Sequence, residues 1–395
     1  MHTKVKHVAG RTERIAPFHV MSLLARAQTL EKAGHDIIHL EVGEPDFSCP
    51  QPVLAAGRQA LADGRTRYTP AAGIGELREC IAADYAKRFN VTVDADCIIL
   101  TPGATGAIQL ALATLVDPGD GVLLNDPGYP CNRHFVELVN GQPQAVASCA
   151  ADGFRVTPAA LTDAWQDNTV ATLLSSPDNP TGQVFNRAEL AALAAVVDDR
   201  GGWLLMDEIY QGLCADQLWH SVLSVAPNSL VINSFSKYFG MTGWRLGWLV
   251  VPPQLVPVCK RLAQNFFLAP STPAQYAALA LFNDSVEQEL QRRRDEFEQR
   301  RQFCIVELER IGLPVVGSPQ GAFYIYVDVS QFTDDSFAFC ENLLETAGVA
   351  LTPGLDFGLQ HEPQRYLRLA YAMDQSRLAQ AFERLQAALE QSAAR

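Results

Sequence analysis

A lysine and an arginine framed by glycines are the residues of this chain best suited to covalent chemistry. The run SFSKYFGMTGWRLGW, residues 234–248, follows an apolar stretch, which puts Lys237 at the carboxyl end of an expected strand. Its neighbours Ser234, Ser236 and Gly240 do not suit a lysine meant for ordinary surface solvation. Arg245 lies eight residues on, among Gly240, Gly243 and Gly247, which let the backbone turn sharply and approach a ligand closely. Arginine matches phosphate oxygens through paired N–H donors, and a lysine of lowered pKa adds to carbonyl groups. Side by side, the two suit a ligand that carries both a carbonyl and a phosphate.

Further polar residues sit at the ends of other apolar runs. WLLMDEIYQG ends a strand with Asp207 and has Tyr210 three residues later; read alone, Asp207 serves equally well as a helix N-cap. SSPDNPTGQVF offers Asn179, which is either a ligand or part of a Pro-Gly turn. ILTPGATGAIQLALATL reads as strand, glycine turn and helix, so the N–H groups of Gly103, Ala104 and Thr105 would face an anion at a helix N-terminus. Its spacing is neither the dinucleotide fingerprint nor a P-loop. In YLRLAYA, Arg368 alternates with Leu367 and Leu369 and so points to the opposite sheet face from them.

These residues need elements to hold them. Short apolar runs alternate with helical patterns from about residue 50 to 280, with strands expected at 98–101, 122–125, 145–147, 171–175, 203–207, 230–233 and 248–251. Most are continuously apolar, as in strands covered on both faces. The alternation predicts an α/β domain with a mainly parallel seven-stranded sheet covered by helices, and ligand sites in such folds lie beyond the carboxyl ends of the strands. Before it come an amphipathic helix ending at Gly34 and a short strand over 37–42. After it, residues 284–311 carry opposite charges at four-residue spacing, which predicts a long solvent-facing helix leading to an α+β part with strands in GAFYIYVDV and RYLRLAYA.

At Ser234–Gly247 the chain resembles the class I/II aminotransferases of pyridoxal-phosphate (PLP) fold type I, and the other segments follow in that family's order from about Ile15 to Ala388. The resemblance implies PLP as cofactor, with Lys237 as its Schiff-base lysine. It also implies Asp207 against the pyridine nitrogen, and Tyr210 and Asn179 on the ring's phenolic oxygen. The phosphate would lie in a cup of Gly103, Ala104, Thr105, Ser234, Ser236 and Arg245, and Tyr129 in NDPGYP would stack on the ring. Arg368 would clamp the substrate α-carboxylate, assisted by Asn179 and by the backbone of Gly43 in EVGEPDF. Tyr68 in RYTPAAGIGELR would reach the phosphate of a neighbouring subunit, which implies a homodimer with shared active sites. Tyr129 and Tyr68 could otherwise be core aromatics, and Arg368 a surface arginine. The family's division would be an arm and part of a small domain over 1–48, the large PLP-binding domain over 49–283, and a linking helix with the rest of the small domain over 284–395.

The expected reaction moves an amino group between an L-amino acid and a 2-oxo acid by a ping-pong mechanism. A β-lyase of the same fold would use the same lysine, aspartate, tyrosine and arginine. A noncatalytic PLP-binding regulator would need an added DNA-binding module, and a nucleotide-dependent dehydrogenase would need the missing fingerprint. Specificity is less legible. Some related aspartate aminotransferases place a lysine where this chain has Thr105, which argues against dicarboxylate substrates unless Arg133 reaches the pocket. Ile15 and Phe18 suggest neutral or aromatic side chains.

The 395 residues are 48% hydrophobic and 19% charged, an ordinary globular composition. A net charge of −13, from 31 basic and 44 acidic groups, argues against broad nucleic-acid binding. No run is long and apolar enough to span a membrane, and residues 1–10 have no apolar signal core. Nine cysteines without a CxxC pair speak against metal ligation and for a reducing compartment, so the expected location is the cytoplasm.

Overall fold

The computed structural model describes residues 8–393, so residues 1–7 of the expected N-terminal arm and the last two residues lie outside the description. Helix α1 (His19–Lys32) buries Leu23, Ala27 and Leu30, a stripe at three- and four-residue spacing. Strand β1 (Ile38–His39) and helices α2 (Gln51–Ala62) and α3 (Gly75–Phe89) follow. Next come strands β2 (Ile98–Thr101), β3 (Gly121–Asn125), β4 (Gln142–Val146) and β5 (Thr169–Ser175). Helices α4 (Gly103–Leu115), α5 (Cys131–Leu138) and α6 (Pro158–Ala164) alternate with them. Helix α7 (Arg187–Asp199) leads to β6 (Trp203–Asp207), β7 (Leu230–Ser234) and β8 (Gly247–Val250). Three helices, α8 (Val256–Phe267), α9 (Thr272–Ala278) and α10 (Asp284–Arg310), then precede β9 (Tyr324–Asp328). Helix α11 (Ser336–Ala347), strands β10 (Val349–Ala350), β11 (Thr352–Pro353) and β12 (Tyr366–Ala370), and helix α12 (Gln375–Ala393) end the chain.

The central sheet has seven strands in the order β2-β8-β7-β6-β5-β3-β4. Pairing is parallel from β7 to β4, while β8 runs antiparallel to β7 and β2. Every residue of β2, β7 and β8 is buried, which is why these strands read as apolar runs up to the polar residues that end β2 and β7. The register sets Asp207 beside Ser175 on one side and Ile232 on the other. Chain segments leaving β5, β6 and β7 therefore emerge side by side.

A second sheet, β11-β12-β9, is antiparallel and pairs Arg368 with Thr352 and Tyr326. Strand β1 pairs with β10 in parallel, tying the N-terminal segment to the C-terminal one. Most of the expected strand bounds hold to within two residues, and two strands differ by more. The strand over 37–42 shrinks to two residues, because the Glu41 carbonyl turns instead to the Arg368 side chain and the Thr352 hydroxyl. Strand β4 begins earlier than expected, at Gln142, since an edge strand tolerates polar side chains such as Gln142 and Gln144.

Helix α10 is also less solvated than its charges suggest. It buries Val286, Leu290, Phe297, Cys304 and Leu308 along one stripe, and Arg300 with them. The Arg300 guanidinium is 2% exposed and donates to Asp46 at 2.8 and 3.0 Å and to Glu296 at 2.5 Å. It also lies 5.0 Å from the Phe47 ring, so it fixes the segment that follows Gly43. Asp46 and Glu296 keep 30% and 47% of their side chains exposed and can return to water. The expected cost of Arg300→Ala is therefore chiefly the lost packing of a buried side chain and its hydrogen bonds, about 2 kcal/mol. Urea unfolding followed by circular dichroism checks this; an unchanged midpoint would show that the pair does not hold the segment.

Candidate active site

A cavity of about 380 Å³ opens where β5, β6 and β7 end. It brings together eleven of the expected site residues: Gly43, Ala104, Thr105, Tyr129, Asn179, Asp207, Tyr210, Ser236, Lys237, Arg245 and Arg368. They come from loops after four central strands, from the start of α4 and from β12, and the sheet register makes them neighbours.

Lys237 lies just past the end of β7. Its Nζ donates to the Gly43 carbonyl and faces the rings of Tyr210 and Phe323 at 6.0 and 5.9 Å. Burial lowers its pKa to about 8; Arg368 and Arg245 act the same way, and Glu44 and Asp207 oppose them. An amine so placed is far easier to deprotonate than an exposed lysine.

Asp207 ends β6, and its Oδ1 accepts the N–H of Ile209 at 3.0 Å. No helix starts here, so Asp207 is not a helix N-cap; its carboxylate closes a turn and lines the cavity at once. Burial raises its pKa to about 7, and Asp178 adds to the effect. A cationic ring nitrogen in front of it would restore the ionised carboxylate. Tyr210, three residues on, is buried with its hydroxyl 2.9 Å from that of Tyr324.

Tyr324 was not expected from the sequence. It also lies under the Arg368 guanidinium, 4.2 Å from carbon to ring centre, and a side chain at Gly43 would collide with its hydroxyl. The signal was faint: strand alternation sets Tyr324 and Tyr326 on one face of β9, but not what that face meets. Among the other cavity residues the sequence did not single out are Glu41, Met21, Leu24, Ile108 and Asp356.

At the start of α4, Gly103 adopts φ 72°, and a Cβ there would come 2.5 Å from Arg245 Nη2. A Cβ on Gly247 would reach 2.6 Å from the Gly103 carbonyl carbon and 2.8 Å from the Ala104 nitrogen. Arg245 itself sits in the left-handed region at φ 52° and donates to the Thr242 carbonyl at 2.9 Å. The helix N-terminus, the guanidinium and Ser236 thus form a cradle that excess bulk would fill, which fits a phosphate. Ser234 does not line the cavity. Its hydroxyl sits 2.9 Å from Ser236 Oγ and 3.0 Å from the Leu246 carbonyl, so it supports Ser236 rather than facing a ligand.

Arg368 is 6% exposed, and so is no surface arginine. Its Nη1 donates to Asn179 Oδ1 at 2.9 Å and its Nη2 to the Glu41 carbonyl at 2.6 Å, while its buried Nε has no partner among the described residues. A donor left over beside the cavity suits an incoming carboxylate. Asn179 is buried, with Oδ1 spent on Arg368, which leaves its amide N–H groups for a ring oxygen. Tyr68 stands outside the cavity and is 82% exposed. Arg133 lines an adjoining cavity, 3.5 Å from the Asp356 carbonyl, and Ile15 does not line the site.

The residues present therefore fit pyridoxal phosphate: a reactive amine, a buried carboxylate for the ring nitrogen, donors for its oxygen and an anion cradle. Comparison with known proteins agrees. The family model "Aminotransferase class I and II" matches residues 35–385. The valine–pyruvate aminotransferase of Mycobacterium tuberculosis is 35% identical over 95% of this chain and 98% of its own. The crystal structure of an aminotransferase from that organism superposes with a TM-score of 0.94 at 35% identity, covering 98% of this chain and all of the other. The aspartate aminotransferase of Thermus thermophilus with maleate gives 0.91 at 32% identity, over 97% and 100% of the two chains. The chain belongs to the class I and II aminotransferases and is a pyridoxal-phosphate-dependent transaminase.

Proposed function

We propose that the enzyme passes an amino group from an L-amino acid to a 2-oxo acid in two half-reactions, with Lys237 as covalent anchor and proton carrier. One observation carries this reading: the part-buried Lys237 amine lines the same cavity as Asp207, Arg245 and Arg368, with its pKa lowered to about 8. Pyridoxal phosphate, when bound, supplies an electron sink for charge left at the substrate α-carbon. Arg245, Ser236 and the N–H groups of Gly103, Ala104 and Thr105 would hold its phosphate. Asp207 would keep its ring nitrogen protonated, Tyr210 and Asn179 would donate to its ring oxygen, and Tyr129 would cover its face.

Arg368 binds the substrate α-carboxylate with help from the Gly43 backbone, and so turns the α-carbon towards Lys237. At a pKa near 8, roughly a tenth of the Lys237 amine is uncharged at pH 7, enough for Nζ to take the α-proton and return it. Tyr210 can serve as donor to a ligand only if its own oxygen accepts from Tyr324, so Tyr324 is a positioning residue for both Tyr210 and Arg368.

The unit formed by residues 49–283 would carry the cofactor, and residues 1–48 and 284–395 the smaller unit that contributes Arg368. Support comes from the β1–β10 pairing, which links the two ends of the chain. We infer a homodimer with shared sites, because a tyrosine as exposed as Tyr68 gains a ligand if a second copy brings its phosphate cradle to it. A cytoplasmic location agrees with cysteines such as Cys304 and Cys340, buried as thiols whose pKa burial pushes well up. Among the described residues no helix is long and apolar enough to cross a membrane. The names of the relatives divide between valine and aspartate, so kinship does not set the donor.

Three outcomes are expected. Lys237→Ala lowers transamination at least about a thousandfold while the protein still binds the cofactor reversibly; near-normal turnover would refute the assignment. Tyr324→Phe weakens donation by Tyr210 and raises the pH midpoint of the bound cofactor's yellow absorbance by about half a unit, as the loss of one hydrogen bond implies. No shift would mean the two hydroxyls act independently. Sedimentation finds a dimer, and Tyr68→Phe loosens cofactor binding about tenfold; a monomer with full affinity would exclude a shared site.

A further inference from the structure

The cavity has two unlike halves. One holds Lys237, Asp207, Arg245 and Arg368. The other is apolar: Phe18, Val20, Met21 and Leu24 of the α1 region, Ile108, and Phe357, whose ring borders the Arg368 guanidinium at 4.9 Å. The three cations of the lining are Lys237, Arg245 and Arg368, and each faces the cofactor or the α-carboxylate. The remaining ionisable carboxyls of the lining are Glu41, Asp207 and Asp356.

Asp356 makes this wall. One of its oxygens accepts the N–H of His19 at 2.8 Å and the other that of Val20 at 2.9 Å, and His19 Nδ1 adds a contact at 2.8 Å. The carboxylate thus caps the first turn of α1 and holds the helix over the cavity mouth, with Phe18, the residue before the helix, and Met21 fixed beside it. Met21 is 55% exposed there, an apolar side chain facing solvent at the entrance. A second substrate carboxylate entering this half would lose its water, meet an apolar wall and lie near the charge of Asp356. Arg133 does not offset this, because its guanidinium is turned to the Asp356 carbonyl from the adjoining cavity. An apolar side chain, by contrast, gains from every methylene it buries.

We propose that the amino donor carries an uncharged, apolar side chain, aliphatic or aromatic, selected by the α1 wall that Asp356 clasps. This rests on the transaminase reading of the site. The test uses the holoenzyme in single half-reactions, read by loss of the cofactor's yellow absorbance. Donors are L-alanine, L-2-aminobutyrate, L-norvaline, L-norleucine and L-phenylalanine, against L-aspartate and L-glutamate. Equilibrium binding of the unreactive acids hexanoate and succinate gives a readout independent of turnover.

The half-reaction rate constant divided by the dissociation constant is expected to rise about threefold to fourfold for each added methylene. Norleucine should exceed aspartate at least about a hundredfold, and hexanoate should bind more tightly than succinate. Met21→Lys should raise the aspartate-to-norleucine ratio at least about tenfold, and Arg133→Met should leave that ratio unchanged. Aspartate or glutamate outpacing the apolar donors would overturn the proposal while the transaminase reading stands. A collapse of aspartate turnover in Arg133→Met would also overturn it. If no amino acid bleaches the cofactor, both readings fall.

Discussion

The proposed chemistry turns on drawing one amine out of bulk water into a cavity that disfavours its charge. Lys237 is part-buried in the cavity, its Nζ donating to the Gly43 carbonyl, and it shares the lining with Arg245, Arg368 and Asp207. Burial and the two cations make its charged form costly, so the amine can lose its proton near neutral pH. The same burial pushes Asp207 the other way and makes a cation in front of it welcome. One low-dielectric cavity thus prepares an amine to be neutral and a carboxylate to pair, two demands that open water would not meet. Sheet geometry makes this workable, since the Asp207–Ile232 register fixes the carboxylate beside the strand that leads to the lysine.

The substrate side of the cavity depends on contacts between the two ends of the chain. Arg368 on β12 reaches the Glu41 carbonyl 327 positions earlier, and Asp356 caps α1 across 337 positions. Strand β1 lies along β10, and Arg300 pins Asp46 from α10. The N-terminal segment is therefore not an appendage. It brings Gly43 to the lysine, the Glu41 carbonyl to the arginine and the α1 wall to the mouth of the cavity. On the roles proposed for Arg368 and Lys237, loosening any of these ties would shift the substrate carboxylate relative to the amine, and a small displacement there costs much of the rate advantage of a bound reactant.

The cofactor half of the site was legible in the sequence because each part lies directly after an apolar strand. Lys237, Asp207 and Asn179 follow β7, β6 and β5, and the glycines at Gly103 and Gly247 mark close backbone approach. Of the wall only Phe18 was legible, and it does line the cavity; the rest of the wall and the coupling residues were not legible, for a physical reason. Tyr324 belongs to a buried strand in which any aromatic looks like core, and its hydroxyl acquires meaning only through Tyr210, 114 positions away. Asp356 reads as one acid in a loop until α1 is laid against it. Arg300 was hidden among alternating charges that suggested a solvated helix, although its partner lies 254 residues earlier. Ser234 fitted the motif yet turns to Ser236 and Leu246, since a serine at a strand end can serve the backbone as well as a ligand.

The account stands or falls on which amine carries the cofactor. Reducing the holoenzyme with borohydride fixes the cofactor covalently to that amine, and mass spectrometry of the digested protein locates it. The account predicts a single modified residue, Lys237, with the label absent from the Lys237→Ala protein. A label on another lysine, or none on Lys237 in protein that was yellow before reduction, would contradict it.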